Sequence, residues 1–181
     1  MTYELPKTVS FCGKEYAIRS DYRAVLDICA ALSDVSYTEQ ERAIIALDIF
    51  YPDFQSMPPA HYAIALQWCY WFLDCGERKD NSNKPKLMDW EKDFQHIVGP
   101  VNRVLQKEIR DIPYLHWWTF VGAYNEIGDC LFAQIVRIRD KKAKGKKLDK
   151  EEREWYKHNR KLVDFEVKYT EKEQETINAW I

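Results

Sequence analysis

Apolar residues recur along this chain at two periods, and the change from one to the other comes early. From Lys7 to Arg19 the period is two. Val9 and Phe11 alternate with polar neighbours, Cys12-Gly13-Lys14 interrupts, and Tyr16 and Ile18 resume two apart. Alternation of this kind turns one face of a strand inward, so the segment predicts an N-terminal β-hairpin. Beyond Ser20 the period becomes helical. Ser20 and Asp21 are N-cap candidates, and Tyr22, Val25, Leu26, Cys29 and Leu32 follow at helical steps to Ser33. Thr38 and Glu41 have the spacing of a capping box, in which each side chain satisfies a free backbone N–H. They open a second helix with Ile44, Leu47 and Tyr51 as its buried stripe, stopped by Pro52.

Pro58-Pro59 opens a third helix, because proline is tolerated in a first turn. Ile64, Trp68, Trp71, Phe72 and Cys75 line one face, and Tyr62, Leu66, Cys69, Tyr70 and Leu73 cover much of the rest. A helix apolar nearly all round is expected at the centre of a fold, with Gly76 as its terminating residue. Glu77 to Lys86 has no apolar side chain and predicts a mobile linker. Trp90, Phe94, Ile97, Val98, Val101, Val104 and Leu105 then keep helical spacing, with a kink or break expected at Gly99-Pro100. Further helices are predicted over Tyr114–Ile127 and over Cys130–Asp140, the latter with Leu131, Ile135 and Ile138 as its stripe. Lys141–Lys147 reads as a basic loop. Leu148-Asp149 starts a last long polar helix anchored by Trp155, Leu162 and Phe165, and the amphipathic tail from Thr170 is expected to fray. The expected fold class is mainly α: a bundle of about six helices with a short N-terminal β-hairpin. The expected organisation is a hairpin with three helices (1–76), a linker (77–88) and C-terminal helices (89–181) packed with the first part as one domain.

Composition narrows the class. A chain of 181 residues suits one domain, and 46% hydrophobic with 31% charged residues predicts a packed core in a soluble protein. No apolar run approaches the roughly 20 residues that span a bilayer. The longest, Ala60 to Leu73, carries His61 and Gln67 and stops at Asp74. The N-terminus has neither the basic start nor the apolar run of a signal peptide. Cysteine is odd in number, at 5, and four of these sit among apolar residues. That pattern predicts free thiols acting as small core hydrophobes in an interior compartment.

Catalytic and cofactor signatures are missing. His61, His96, His116 and His158 form no HExxH or HxH, and there is no CxxC. His61 and Cys69 share a helix face but lie about 12 Å apart along it, too far for one ion. No GxxxxGK[ST], GxGxxG or GxSxG occurs. The expectation is a protein that is not an enzyme and holds no metal or cofactor. Charge is more informative. Residues 137–161 hold twelve basic and five acidic side chains, a local +7 on a chain of net −2. Arg137, Arg139, Lys141, Lys142, Lys144, Lys146 and Lys147 are therefore candidates for docking an acidic partner or nucleic acid, or else form a solvated face. No aromatic interleaves Arg137–Glu154, which argues against single-strand stacking. Aromatics cluster instead at Tyr114–Phe120, where Trp117, Trp118 and Phe120 either pack a core or receive a partner helix or second subunit.

Several stretches resemble a known family. These are LPKTVSFCGKEYAIRSDYR at the N-terminus, ALDIFYPD at 46–53, WFLDCG at 71–76, DWEKDF at 89–94, YLHWWTF at 114–120, IVRIRD at 135–140 and KEEREWYK at 150–157. In order and spacing they are similar to the bacteriophage gene product fifteen family, small proteins of the tail module of long-tailed phages. The resemblance implies a non-enzymatic tail-assembly protein with a chaperone-like role. Such a protein would coat the helical tape-measure protein in the cytoplasm of an infected or prophage-carrying cell. It implies a protein partner from the tail, with self-association as a further option, and neither a membrane nor, chiefly, nucleic acid. A phage protein that binds nucleic acid or a host target through 137–161 is the alternative.

Overall fold

The structure, a computed structural model, describes residues 4–77 and 85–165. Most of the expected linker, and the tail from Thr170, lie outside the described residues. The chain forms two compact units. The first is Met1–Asp80 with Glu108–Ala123, and the second is Asn81–Lys107 with Tyr124–Ile181. Among the described residues there are eight α-helices and one two-stranded antiparallel hairpin. None of these helices is long and apolar enough to cross a membrane.

In the first unit, β1 (Thr8–Phe11) pairs with β2 (Lys14–Ala17), with Phe11 opposite Lys14. Cys12 and Gly13 both adopt positive φ, the mirror-image turn whose twist suits a two-residue hairpin loop. Val9, Phe11 and Tyr16 point inward as the alternation requires, and Phe11 stacks on Tyr16 at 4.4 Å. Helix α1 (Tyr22–Ser33) starts at Asp21, whose carboxylate accepts the Arg23 N–H. Helix α2 (Glu39–Phe50) carries the Thr38–Glu41 capping box. Its buried face is Ala46, Leu47 and Phe50, continued by Tyr51, whereas Ile44 is 42% exposed. The Ile44 assignment fails because the face that packs against α1 and α3 lies elsewhere on the helix. A 3-10 turn at Pro59–His61 leads into α3 (Tyr62–Leu73). This helix is less central than its composition suggested. Ala65, Cys69 and Phe72 are buried, but Trp68 and Trp71 are partly exposed and Tyr70 is 45% exposed. Burial pushes the Cys69 thiol up to about 12, so it is an inert core group.

The helix expected from Tyr114 starts later, as α5 (Trp117–Asn125). Tyr114 to His116 instead runs extended. Tyr22 N–H donates to Leu115 O, Trp117 N–H to Ser20 O, and Leu115 N–H to the Asp21 carboxylate. These bonds tie the segment to residues 20–22 and occupy the backbone that an earlier helical turn would need.

In the second unit, α4 (Trp90–Leu105) continues through Pro100, so of the kink or break expected there the break does not occur. Two physical reasons permit it. Gly99 has no Cβ to clash with the proline ring. Ile97 and Val101 are fully buried on either side, which outweighs one missing backbone bond. Replacing Pro100 with alanine is expected to restore that bond and raise the unit's stability by about 1–3 kcal/mol. Urea denaturation checks this, and a destabilised variant would show that packing of the ring matters more. Helix α6 (Leu131–Ala143) buries Phe132, Ile135 and Ile138. Leu131, expected in that stripe, is 45% exposed because the stripe begins at Phe132. The last polar helix is shorter than expected. It splits at Asn159 into α7 (Lys150–His158), capped by Asp149 and Glu152, and α8 (Arg160–Val163). The Asn159 amide bonds back to Trp155 O, and the break lets Val163 turn inward.

Candidate functional site

A helix leaves its last four carbonyls without partners of their own. Among the described residues, several helix ends are closed by long side chains from elsewhere in the same unit. At the end of α2, Arg19 donates its guanidinium to Asp48 O and Ile49 O at 2.7 and 2.6 Å, and its N–H to Phe50 O. At the end of α3, the Trp117 indole N–H donates to Leu73 O at 3.0 Å and the Trp118 indole to Phe72 O at 2.9 Å. Asp74 N–H and Gly76 N–H serve Tyr70 O and Trp71 O, so all four carbonyls are satisfied. Gly76 has φ +79°, which strains an L side chain, and a Cβ there would lie 3.1 Å from the Trp118 ring, tighter than ordinary contact, so both features favour glycine.

The third clasp is Arg139. Its side chain is 4% exposed and pairs with Asp93, 1% exposed, through two bonds of 2.6 and 3.0 Å. The remaining donors reach Leu87 O, Leu162 O and Val163 O, and the guanidinium lies 4.1 Å from the Phe165 ring centre. Asp93 also accepts the Asp89 N–H at the start of α4. One residue thus joins α4, α6 and α8. A smaller cluster in the first unit works alike. Asp21 binds Arg23 and the Leu115 N–H, while Arg23 reaches Ile112 O and Pro113 O. Burial pushes the Asp21 carboxyl upward, but Arg23 and the backbone N–H groups outweigh it, and the net shift is downward.

These positions decide what the sequence-derived candidates can touch. Trp117 and Phe120 are 3% and 0% exposed, with Phe120 stacked on Tyr22, and they present no surface. Arg139 is likewise interior. Lys141 pairs with Glu152, Lys142 with Asp164, Lys144 with Asp140 and Arg137 with Asp129. Lys146 and Lys147 are exposed, and among the described residues no ion pair engages them. The structure therefore does not assemble the seven basic residues into one patch. The tryptophans belong to the other unit.

Also partly exposed in the first unit is a seam of side chains that periodicity alone predicts as core. Ile64, Trp68 and Trp71 lie at i, i+4 and i+7 on α3, and Trp118 extends the row beside Trp71. Trp68 meets Trp71 edge-on at 5.1 Å, and Trp71 meets Trp118 at 5.4 Å. This spacing is the one at which a helix receives another helix. The periodicity was the available signal, but it does not report which side of an all-apolar helix stays accessible. Among the described residues no three His, Cys, Asp or Glu side chains are grouped so as to hold a metal ion.

The architecture is that of a small helical protein in which helix ends are clasped by side chains distant in sequence. The family model described as Bacteriophage Gp15 protein matches residues 1–165, and the chain belongs to that family. No curated protein and no solved structure matches it.

Proposed function

We propose that this phage protein is a non-enzymatic tail-assembly factor. It binds the elongated helical tape-measure protein in a chaperone-like role, in the cytoplasm of the infected cell, before the tail tube forms around that partner. The observation that carries the proposal is the partly exposed seam of Ile64, Trp68, Trp71 and Trp118 at helix-docking spacing. Tryptophan supplies large contact area at small entropic loss, which suits the centre of an interface. The basic segment then has a secondary part. Lys146 and Lys147, with Lys150, Arg153 and Lys157 along α7, are exposed and would steer an acidic stretch of the partner. That same exposure is what favours the second reading, binding of nucleic acid or a host target.

The test is binding to purified tape-measure fragments at two salt concentrations, beside random-sequence DNA. Trp68→Glu is expected to speed dissociation from the fragments by at least about tenfold, the effect of roughly 1.4 kcal/mol at an interface. Tyr70→Glu, on the same helix but off the seam, serves as the control. Lys146→Glu with Lys147→Glu is expected to slow association and flatten its salt dependence. Steeply salt-dependent binding to DNA with none to the fragments would discard the tape-measure reading in favour of the nucleic-acid one.

A further inference from the structure

His116 is 3% exposed, and both of its ring nitrogens are committed. The Trp118 N–H donates to Nδ1 at 3.0 Å. Nδ1 must therefore be bare and the proton must sit on Nε2, which lies 2.9 Å from Pro6 O and donates to it. Only the neutral ring in this tautomer satisfies both partners. The two bonds do different work. The first caps α5, because Trp118 N–H is one of the donors left free at a helix start. The second holds the segment that precedes β1. The ring also sits edge-on to Phe72 at 5.4 Å and to Trp118 at 6.0 Å.

We propose that His116 is an acid-sensitive latch, joining the N-terminal segment at Pro6 to the start of α5 and thereby setting the position of Trp118 in the partner seam. The link to partner binding rests on the seam reading above. A second proton on Nδ1 would face the Trp118 N–H donor to donor, so the cap is lost. It would also place a positive charge at a helix N-terminus, where the backbone dipole already disfavours one. On the N-terminal side, Lys7 adds repulsion; it lines an open groove of about 680 Å³ together with Glu4, Tyr114 and His116. Asp21, bridged to His116 through the backbone, has its carboxylate engaged by Arg23 and Leu115. From α3 the ring meets the uncharged Phe72. Burial, and after the Pro6 bond that opposes it Lys7, hold the imidazole below its ordinary value of 6.5. For a base shifted downward, the stabilising contacts are complete above the unfolded value and fail as pH falls through the lower folded one.

The experiment is a nuclear magnetic resonance titration of the full chain from neutral to mildly acidic pH, following the His116 ring nitrogens and the Trp118 amide. The expected result is the Nε2–H tautomer at neutral pH, with His116 and Trp118 moving together at one midpoint below 6.5. Lys7→Gln is expected to raise that midpoint. Affinity for a helical tape-measure peptide should fall about tenfold per pH unit below it, since one proton is linked to binding. An Nδ1–H tautomer overturns the latch, as does a His116 midpoint at or above the ordinary value, or a Trp118 shift with a different midpoint. A peptide that binds equally at all pH values while Trp118 follows His116 overturns the coupling to the seam. A peptide that never binds removes the seam reading and leaves the latch standing.

Discussion

Replacing Arg139 with alanine is expected to lower the stability of the second unit by about 3–5 kcal/mol, the range for breaking a buried ion pair from one side. The size follows from what the change leaves behind. Asp93, 1% exposed, would be left in the interior without the guanidinium that meets both of its oxygens. Leu87 O, Leu162 O and Val163 O would lose their donors as well. Lysine cannot substitute, because a point charge does not reproduce the planar fork that serves Asp93 and three carbonyls together. Replacing both Asp93 and Arg139 with apolar residues is expected to be milder than the single change, since no buried charge is then stranded. Urea denaturation of the three variants checks this. An Arg139→Ala variant within about 0.5 kcal/mol of the parent would mean that the pair is solvated rather than interior.

Trp117→Ala is expected to destabilise the first unit by about 3–5 kcal/mol, as truncation of a buried aromatic does. The indole is 3% exposed, stacks on Phe120 at 5.5 Å and closes the end of α3 through Leu73 O. Trp117→Phe separates these contributions. It keeps most of the ring packing and removes the N–H, for an expected loss nearer 1–2 kcal/mol from the carbonyl left without that donor. Trp68→Ala and Trp71→Ala should cost less than Trp117→Ala, because those rings are partly in water already. Thermal unfolding ranks the four variants. Equal losses at Trp68 and Trp117 would contradict the assignment of one to the surface and the other to the core.

The expected ranking also bears on the motifs that carry the family resemblance. Arg19 in IRSDYR, Trp117 and Trp118 in YLHWWTF and Arg139 in IVRIRD each close a helix end. Asp21 and Asp89 are N-caps, and Asp93 anchors Arg139. The residues by which the family is recognised therefore hold this fold together. Trp71 and Trp118 lie in these motifs as well and are partly exposed, so the proposed partner seam shares residues with them.

Features that depend on neighbours a few positions apart are legible in the sequence. Alternation at Val9–Phe11 and Tyr16–Ile18 set the hairpin, Thr38–Glu41 set the start of α2, and the stripe through Ile97 and Val101 set α4. The family, too, was legible in local motifs. Tertiary structure decided whatever needed a partner from far along the chain. Whether Arg139 meets solvent or Asp93, 46 positions away, is invisible to a charge count, which places it with the exposed lysines. The start of α5 depends on Ser20 and Asp21, more than 90 positions earlier. For α3, apolar nearly all round, periodicity could not distinguish the buried Cys69–Phe72 side from the partly exposed Trp68–Trp71 side. The physical reason is the same throughout: local spacing specifies backbone hydrogen bonding and helix faces, but the cost of burying a charge or a free carbonyl is settled only by the group that comes to meet it.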